Sequence, residues 1–289
     1  VALLAAAIGT AAAQEPGVAQ AAGTAARTSD ARDAAGTVWL MAAVAPGLPD
    51  RLSVFRSDDG ARFVTQASEA YAPPRGMLRD PALIRHDGAY WVAYAGGAGR
   101  EIGLARSADL KHWTFVRAVP MPGRVRAPRW LRTRDGGVAL VVALARDGAA
   151  APFQPWLAEA DAGLAHWSAP RPLAGLQDAY EDAAVARDGD GYVALARRRG
   201  DGVPALARAP DPAGPWTVER AVDAFGPAAA GADLVRLPDG AWRAVFADAA
   251  GHAWQADSRD GLRTWAPKRA LTGVAAGVVY GLVAMRTGR

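Results

Sequence analysis

A short polar turn ending in one aromatic ring recurs five times along the chain. The copies are Ser57-Asp58-Asp59-Gly60-Ala61-Arg62-Phe63, Ser107-Ala108-Asp109-Leu110-Lys111-His112-Trp113, Asp161-Ala162-Gly163-Leu164-Ala165-His166-Trp167, Asp211-Pro212-Ala213-Gly214-Pro215-Trp216 and Ser258-Arg259-Asp260-Gly261-Leu262-Arg263-Thr264-Trp265. Their aromatic residues are separated by 50, 54, 49 and 49 positions. Such a period, with a turn and strand-like runs in every unit, marks radial β-sheet repeats, in which no unit buries its apolar face alone.

Between these turns short β-type runs alternate with Gly/Asp turns. Pro81–Arg85, Tyr90–Tyr94, Ile102–Arg106 and Thr114–Arg117 read as four antiparallel strands, with His86-Asp87-Gly88 as the first hairpin turn. The third unit repeats the order with Ala183–Arg187 and Tyr192–Arg197, and the fourth with Asp233–Leu237 and Ala241–Ala247. Val278–Met285 reads as an innermost strand with no partner after it. Thr37–Val44, Leu52–Arg56 and Arg62–Thr65 read as three outer strands with none before them. Joined, the two ends make one blade and leave no open sheet edge at the seam. The sequence therefore predicts an all-β, five-bladed β-propeller with terminal strand closure over residues 37–289. Of the preceding residues, 1–13 read as the remnant of a signal peptide, since Ala11-Ala12-Ala13 resembles a cleavage site, and 14–36 as a flexible linker.

Composition excludes several function classes. The net charge of +4 is carried mostly by arginine, and no basic run interleaves with aromatics, so nucleic acid is not an expected partner. No apolar stretch beyond the first residues is long enough to span a bilayer, and no membrane partner is expected. With no cysteine, disulfides and thiolate metal sites are ruled out. No pair of the four histidines has metal-ligand spacing, and neither a cofactor nor a metal is expected.

In a propeller the innermost strands begin around the axis. The segments there are Leu78-Arg79-Asp80-Pro81, Arg126-Ala127-Pro128-Arg129-Trp130, Tyr180-Glu181-Asp182-Ala183, Ala230-Gly231-Ala232-Asp233 and Ala275-Ala276-Gly277, a second five-fold register in step with the first. Asp80, Asp182, Arg79, Arg129, Trp130, Tyr180, Glu181 and Asp233 are the candidate site residues. Plainer roles stand beside them: Asp80 as a turn residue at strand entry, Asp182 as a buried hydrogen-bond acceptor, Arg79 and Arg129 as members of structural ion pairs. Trp39, Trp91, Trp130 and Tyr180 suit both sugar stacking and core packing. The four repeat tryptophans read as packing between blades.

The Arg-Asp-Pro at 79–81, the Ala-Pro at 127–128, the Asp-Ala at 182–183 and the Gly-Pro-Trp at 214–216 resemble, in order and spacing, the five-bladed glycoside hydrolases of family 43, closest to the arabinosidase and xylosidase-like members. The resemblance covers residues 37–285. It implies inverting hydrolysis in a central pocket by two carboxyl groups about 6.5–9.5 Å apart, one activating water and the other protonating the leaving oxygen. It places Asp80 as the general base and Asp182 as the aspartate that orients the acid. It further implies an oligo- or polysaccharide partner; the apolar residues 1–13 add the expectation of secretion or export to a periplasm, and a monomer is expected. The acid's place reads Ala230-Gly231-Ala232, where relatives carry a glutamate, and alanine donates no proton. Arg129 likewise replaces a carboxylate by a cation, and Ala275-Ala276-Gly277 stands where close relatives carry a histidine. Three substitutes are open: Glu181, if a bulge re-aims it; Asp233, with a shifted register; or a substrate carboxylate held bidentately by Arg129. Two main readings follow, a hydrolase of arabinose- or xylose-type glycans and a non-catalytic carbohydrate-binding propeller. A third, a sialidase-like propeller suggested by the 258–265 turn, requires six blades where five are counted.

Overall fold

In the computed structural model the described residues are 37–286, apart from 45–46, 48–49, 147–150, 227–229, 249 and 275–278; for 230, 231 and 279–286 only the backbone is described. The expected leader and linker, and the Ala275-Ala276-Gly277 segment, lie outside them. Strands β1 (Thr37–Val44), β2 (Leu52–Ser57) and β3 (Val64–Tyr71) come first. Blade one holds β4 (Arg79–His86), β5 (Ala89–Gly96), β6 (Glu101–Ser107) and β7 (Trp113–Pro120), and blade two β8 (Gly123–Arg132), β9 (Val138–Arg146), β10 (Gln154–Glu159) and β11 (Arg171–Pro172). Blade three holds β12 (Tyr180–Asp188), β13 (Gly191–Arg198), β14 (Pro204–Ala209) and β15 (Thr217–Ala221), and blade four β16 (Ala230–Arg236), β17 (Trp242–Ala247), β18 (Ala253–Ser258) and β19 (Arg269–Ala270). The last strand, β20 (Val279–Arg286), pairs antiparallel with β1 over its whole length, from Thr37↔Arg286 to Val44↔Val279. The fifth sheet thus has the order β20-β1-β2-β3, the terminal closure expected from the sequence.

Each repeated turn joins the third strand of a blade to the fourth, and its chemistry is local. In three copies the serine hydroxyl accepts a main-chain N–H three or four residues on: Gly60 to Ser57 at 2.9 Å, Leu110 to Ser107 at 2.9 Å, Leu262 to Ser258 at 3.0 Å. The following aspartate takes two more, Asp59 from Ala61 and Arg62, Asp109 from Lys111 and His112, Asp260 from Arg263 and Thr264. The reversal puts Gly60, Leu110, Leu164, Gly214 and Leu262 at positive φ. A leucine is strained there, so its buried side chain must hold it in place; Leu110, Leu164 and Leu262 are at most 6% exposed. The terminal ring then seals its own blade to the preceding one. Phe63 packs with Trp39 and Val245, Trp113 with Leu40 and Val54, Trp167 with Ala93 and Leu140, Trp216 with Leu131 and Ala183, and Trp265 with Ala184 and Leu234. The repeat that sets the blade count is also the seam between blades.

These turns are acid-sensitive. The His112 main-chain N–H and ring hold the Asp109 carboxyl well below its ordinary range. Asp260, bonded first by the Thr264 hydroxyl and then by main-chain N–H groups, is lowered from 3.8 to about 2. A carboxyl depressed on folding stabilises the fold above its unfolded value, and that contribution is lost as pH falls through the folded value. The melting temperature is therefore expected to fall between about pH 4 and pH 2, and to fall less over that window in Asp260→Asn. Equal slopes for the two proteins would remove the turn from the explanation.

Four strand boundaries differ from the sequence reading. The inner strands of blades one, three and four begin two to three residues earlier than the alternation predicts, at Arg79, Tyr180 and Ala230. The added residues carry a β-bulge: pairing shifts by one between Arg79 and Ala82, Tyr180 and Asp182, and Ala230 and Asp233, and likewise between Arg126 and Arg129 in blade two. An extra residue breaks the period-2 pattern, so the strand is not legible there. The outer strand expected at 62–65 is β3, Val64–Tyr71, while Arg62 bridges instead to Thr272. That outer strand alternates poorly because it is polar and mostly exposed, with Tyr71 alone buried.

Candidate functional site

The four bulges lie at the leading ends of the inner strands and set the side chains around the axis. In blade one, Asp80 sits at φ 51°, a left-handed conformation that a non-glycine residue adopts at a cost. Its Oδ2 accepts the Ala127 N–H at 2.9 Å, and Ala127 is itself left-handed at φ 49°. The two bulges thereby hold each other and fix the carboxylate, half-buried, between blades one and two. Arg79, the residue before it, is exposed.

Arg129 crosses the axis. From blade two it reaches blade four, where its Nη1 donates to Asp233 Oδ1 at 2.5 Å; both side chains are about nine-tenths buried. Burial works against the charged guanidinium, but the fields of Asp233, Asp182 and Asp80, in that order, outweigh it and raise its pKa. Arg129 is thus the cation amid three axial carboxylates. Among the described residues no group of three or more His, Asp or Glu side chains is placed to hold a metal ion.

Blade three supplies a second charged group. Glu181 is the unpaired residue of the bulge, and two guanidinium groups meet its Oε2: Arg126 of blade two at 2.6 Å and Arg197 at 3.0 Å. Asp182, buried, accepts from Arg197 Nε at 3.4 Å, a long bond, across the β12–β13 ladder. The Arg126 guanidinium also lies over the Phe153 ring, 4.1 Å from its centre, with Arg124 at 5.1 Å, and Arg199 Nη2 donates to the Phe153 carbonyl at 3.0 Å.

The structure thus brings Asp80, Arg129, Asp182 and Asp233 together at the axis, with Glu181 tied to Asp182 through Arg197. Tyr180 lies apart, buried in the core between blades two and three. Trp130 donates its Nε1 to the Ala82 carbonyl at 3.0 Å and packs on Trp167, with centroids 6.3 Å apart. Trp39 and Trp91 are core residues, at most 7% exposed. The bulge that was needed to re-aim Glu181 exists, but it aims the carboxylate at two arginines. Arg129 is not open to a substrate carboxylate, because it is buried on Asp233. Arg126, Arg197 and Phe153 were not singled out from the sequence.

Beyond these groups, towards the trailing ends of the inner strands, lies an axial cavity of about 270 Å³. Arg129, Trp130 and Asp233 line it; Asp80, Glu181 and Asp182 do not.

No family profile matches the sequence, and no curated protein matches it. Solved structures do match. An endo-1,4-β-xylanase from Bacteroides thetaiotaomicron aligns with 82% of this chain and 92% of its own at 15% identity and a TM-score of 0.61. The chain has the five-bladed propeller fold of the family 43 glycoside hydrolases. A thermostable family 43 glycoside hydrolase aligns with 78% of this chain and 87% of its own, at 14% identity and a TM-score of 0.58. A family 43 arabinoxylan arabinofuranohydrolase from Bacillus subtilis, solved with cellotetraose, aligns with 73% and 56%, at 14% identity and a TM-score of 0.58. At such identities the likeness fixes the fold, and the chemistry rests on this chain's own side chains.

Proposed function

We propose that this chain recognises glycans of the arabinose and xylose class at the leading-end face of the propeller, and that the face keeps a base carboxylate without a protein proton donor. One observation carries the reading. Among the axial carboxylates of the described residues, Asp80 is held by a main-chain N–H, that of Ala127, whereas Glu181, Asp182 and Asp233 are each bonded to one or two guanidinium groups. Ala230 stands at the leading end of the fourth inner strand, where the family resemblance calls for the acid. The structural neighbours that act on xylan and arabinoxylan support the substrate class. The apolar residues 1–13, read from the sequence as a signal-peptide remnant, accord with a polysaccharide partner outside the cytoplasm.

The strained φ of Asp80 favours a second reading, in which the base is still used. Water attacks the anomeric carbon as Asp80 takes its proton, and the bond to the leaving oxygen breaks with inversion. With no acid to protonate that oxygen, only a leaving group stable as an anion departs, such as an activated aryloxide. Calorimetry with xylo- and arabino-oligosaccharides and release assays with nitrophenyl arabinofuranosides and xylosides test both readings. Binding is expected without cleavage of the oligosaccharides, and any aryloxide release is expected to vanish in Asp80→Asn. Efficient cleavage of natural linkages would replace this reading by a full hydrolase; absence of binding to every oligosaccharide would end it.

A further inference from the structure

Every inner strand carries an arginine at, or one residue before, its trailing end: Arg85 on β4, Arg132 on β8, Arg187 on β12, Arg236 on β16 and Arg286 on β20. This five-fold pattern plays no part in the leading-end face, from which a strand's length separates it. Three of the five, Arg132, Arg187 and Arg236, line the 270 Å³ axial cavity. The rest of its wall is largely apolar, with Ile84, Trp130, Leu131, Val185, Leu234 and Val235 contributing, and the buried Arg129–Asp233 pair lies at its inner end.

The rim charges are unequally compensated. Arg236 contacts Asp188 at 3.2 Å, and Asp188 is shared with Arg208. Arg132 and Arg187 donate instead to the carbonyl oxygens of Arg85 and Gly189, and among the described residues neither has a carboxylate partner. At the inner end, the buried Nε of Arg129 has no hydrogen-bond partner. A shaft of apolar wall under a cationic rim concentrates positive potential where water is partly excluded. Its volume is slightly below the roughly 300–1,000 Å³ of drug-sized pockets, so the occupant is small.

We propose that the trailing-end cavity is a binding site for a small carboxylate with a compact apolar body, the body in the shaft and the carboxylate on Arg132 and Arg187. The site is separate from the glycan face and does not depend on its reading. The carboxylate would exchange main-chain acceptors for a charge-assisted contact, and the body would cover the apolar wall of the shaft.

Titration calorimetry on the full chain, with benzoate and isocaproate as probes and benzamide and inorganic phosphate as comparators, tests it. Benzoate and isocaproate are expected to bind, benzamide and phosphate to bind at least about tenfold more weakly, and Arg132→Gln/Arg187→Gln to weaken benzoate about tenfold or more. Benzoate affinity should also fall with added salt. Ala186→Phe fills the shaft from a partly buried wall position and leaves the rim unchanged, so it is expected to abolish benzoate binding; it decides the matter if the double arginine variant does not fold. Benzamide binding as well as benzoate, phosphate binding as well as benzoate, or benzoate binding unaltered in a folded variant would each overturn the proposal.

Discussion

Asp257→Ala is expected to lower the free energy of unfolding by about 3–5 kcal/mol, the cost of leaving a buried cation without its partner. Arg243 on β17 and Asp257 on β18 form a two-pronged pair, Nε to Oδ1 at 2.7 Å and Nη2 to Oδ2 at 2.8 Å, with both side chains 9% exposed. The guanidinium lies over the Trp39 ring, 4.7 Å from its centre, so the pair from blade four holds the closing blade by its first strand. A Cβ on Gly60, at φ 69°, would come within 2.5 Å of Arg243 Nη1 and 2.6 Å of the Trp39 ring, which shows how little room remains. Removing the carboxylate therefore weakens the seam that closes the ring. Arg269 also contacts Asp257, at 3.0 Å, but is 55% exposed, and Arg269→Ala is expected to cost no more than about 1 kcal/mol. Urea denaturation of the two variants checks this. Since small domains are stable by about 5–15 kcal/mol in all, the difference is large, and equal losses in the two variants would contradict it.

The blade count was legible because its signal is local. Ser107, Asp109 and Trp113 sit within one turn, and their spacing needs no knowledge of the rest of the chain. Closure was legible for a related reason, since β20 and the β1–β3 run are each incomplete sheets. The bulges were not legible, because an extra residue is defined only by the strand it is paired with. The leading ends of the inner strands consequently looked like turns. One missed contact was recoverable: Asp182 and Arg197 are equally distant from the Asp188–Gly191 hairpin closure, and so face each other across the ladder. The pairing of Arg129 with Asp233 was not, because it joins residues 104 positions apart on inner strands of blades two and four, across the intervening blade. Both had been candidates for binding substrate. Their mutual capture changes what the axis offers: the cation open to a ligand in the sequence reading is already ion-paired with the aspartate that the same reading offers as a spare acid.

Asp233→Ala is expected to cost about 3–5 kcal/mol as well, but for a different structural reason and with a different remedy. It strands the Arg129 guanidinium, buried and no longer paired with its nearest counter-ion, with only the weaker fields of Asp182 and Asp80 in support. A second change, Arg129→Met, removes the stranded charge. The double variant Asp233→Leu/Arg129→Met is therefore expected to recover most of that loss, since well-packed apolar residues replace buried ion pairs at little or no cost. Denaturation of Asp233→Leu, Arg129→Met and the double variant completes a mutant cycle whose coupling should reach at least about 2 kcal/mol. If the double variant is as unstable as Asp233→Ala, the pair is an essential cross-brace of the ring. If it recovers, the net stability of the ring does not depend on the charges of the pair. Oligosaccharide calorimetry on the recovered variant then distinguishes a pair that merely joins blades two and four from one that also sets the field at Asp80 and Asp182: weaker binding in a protein of restored stability assigns the second role to Arg129.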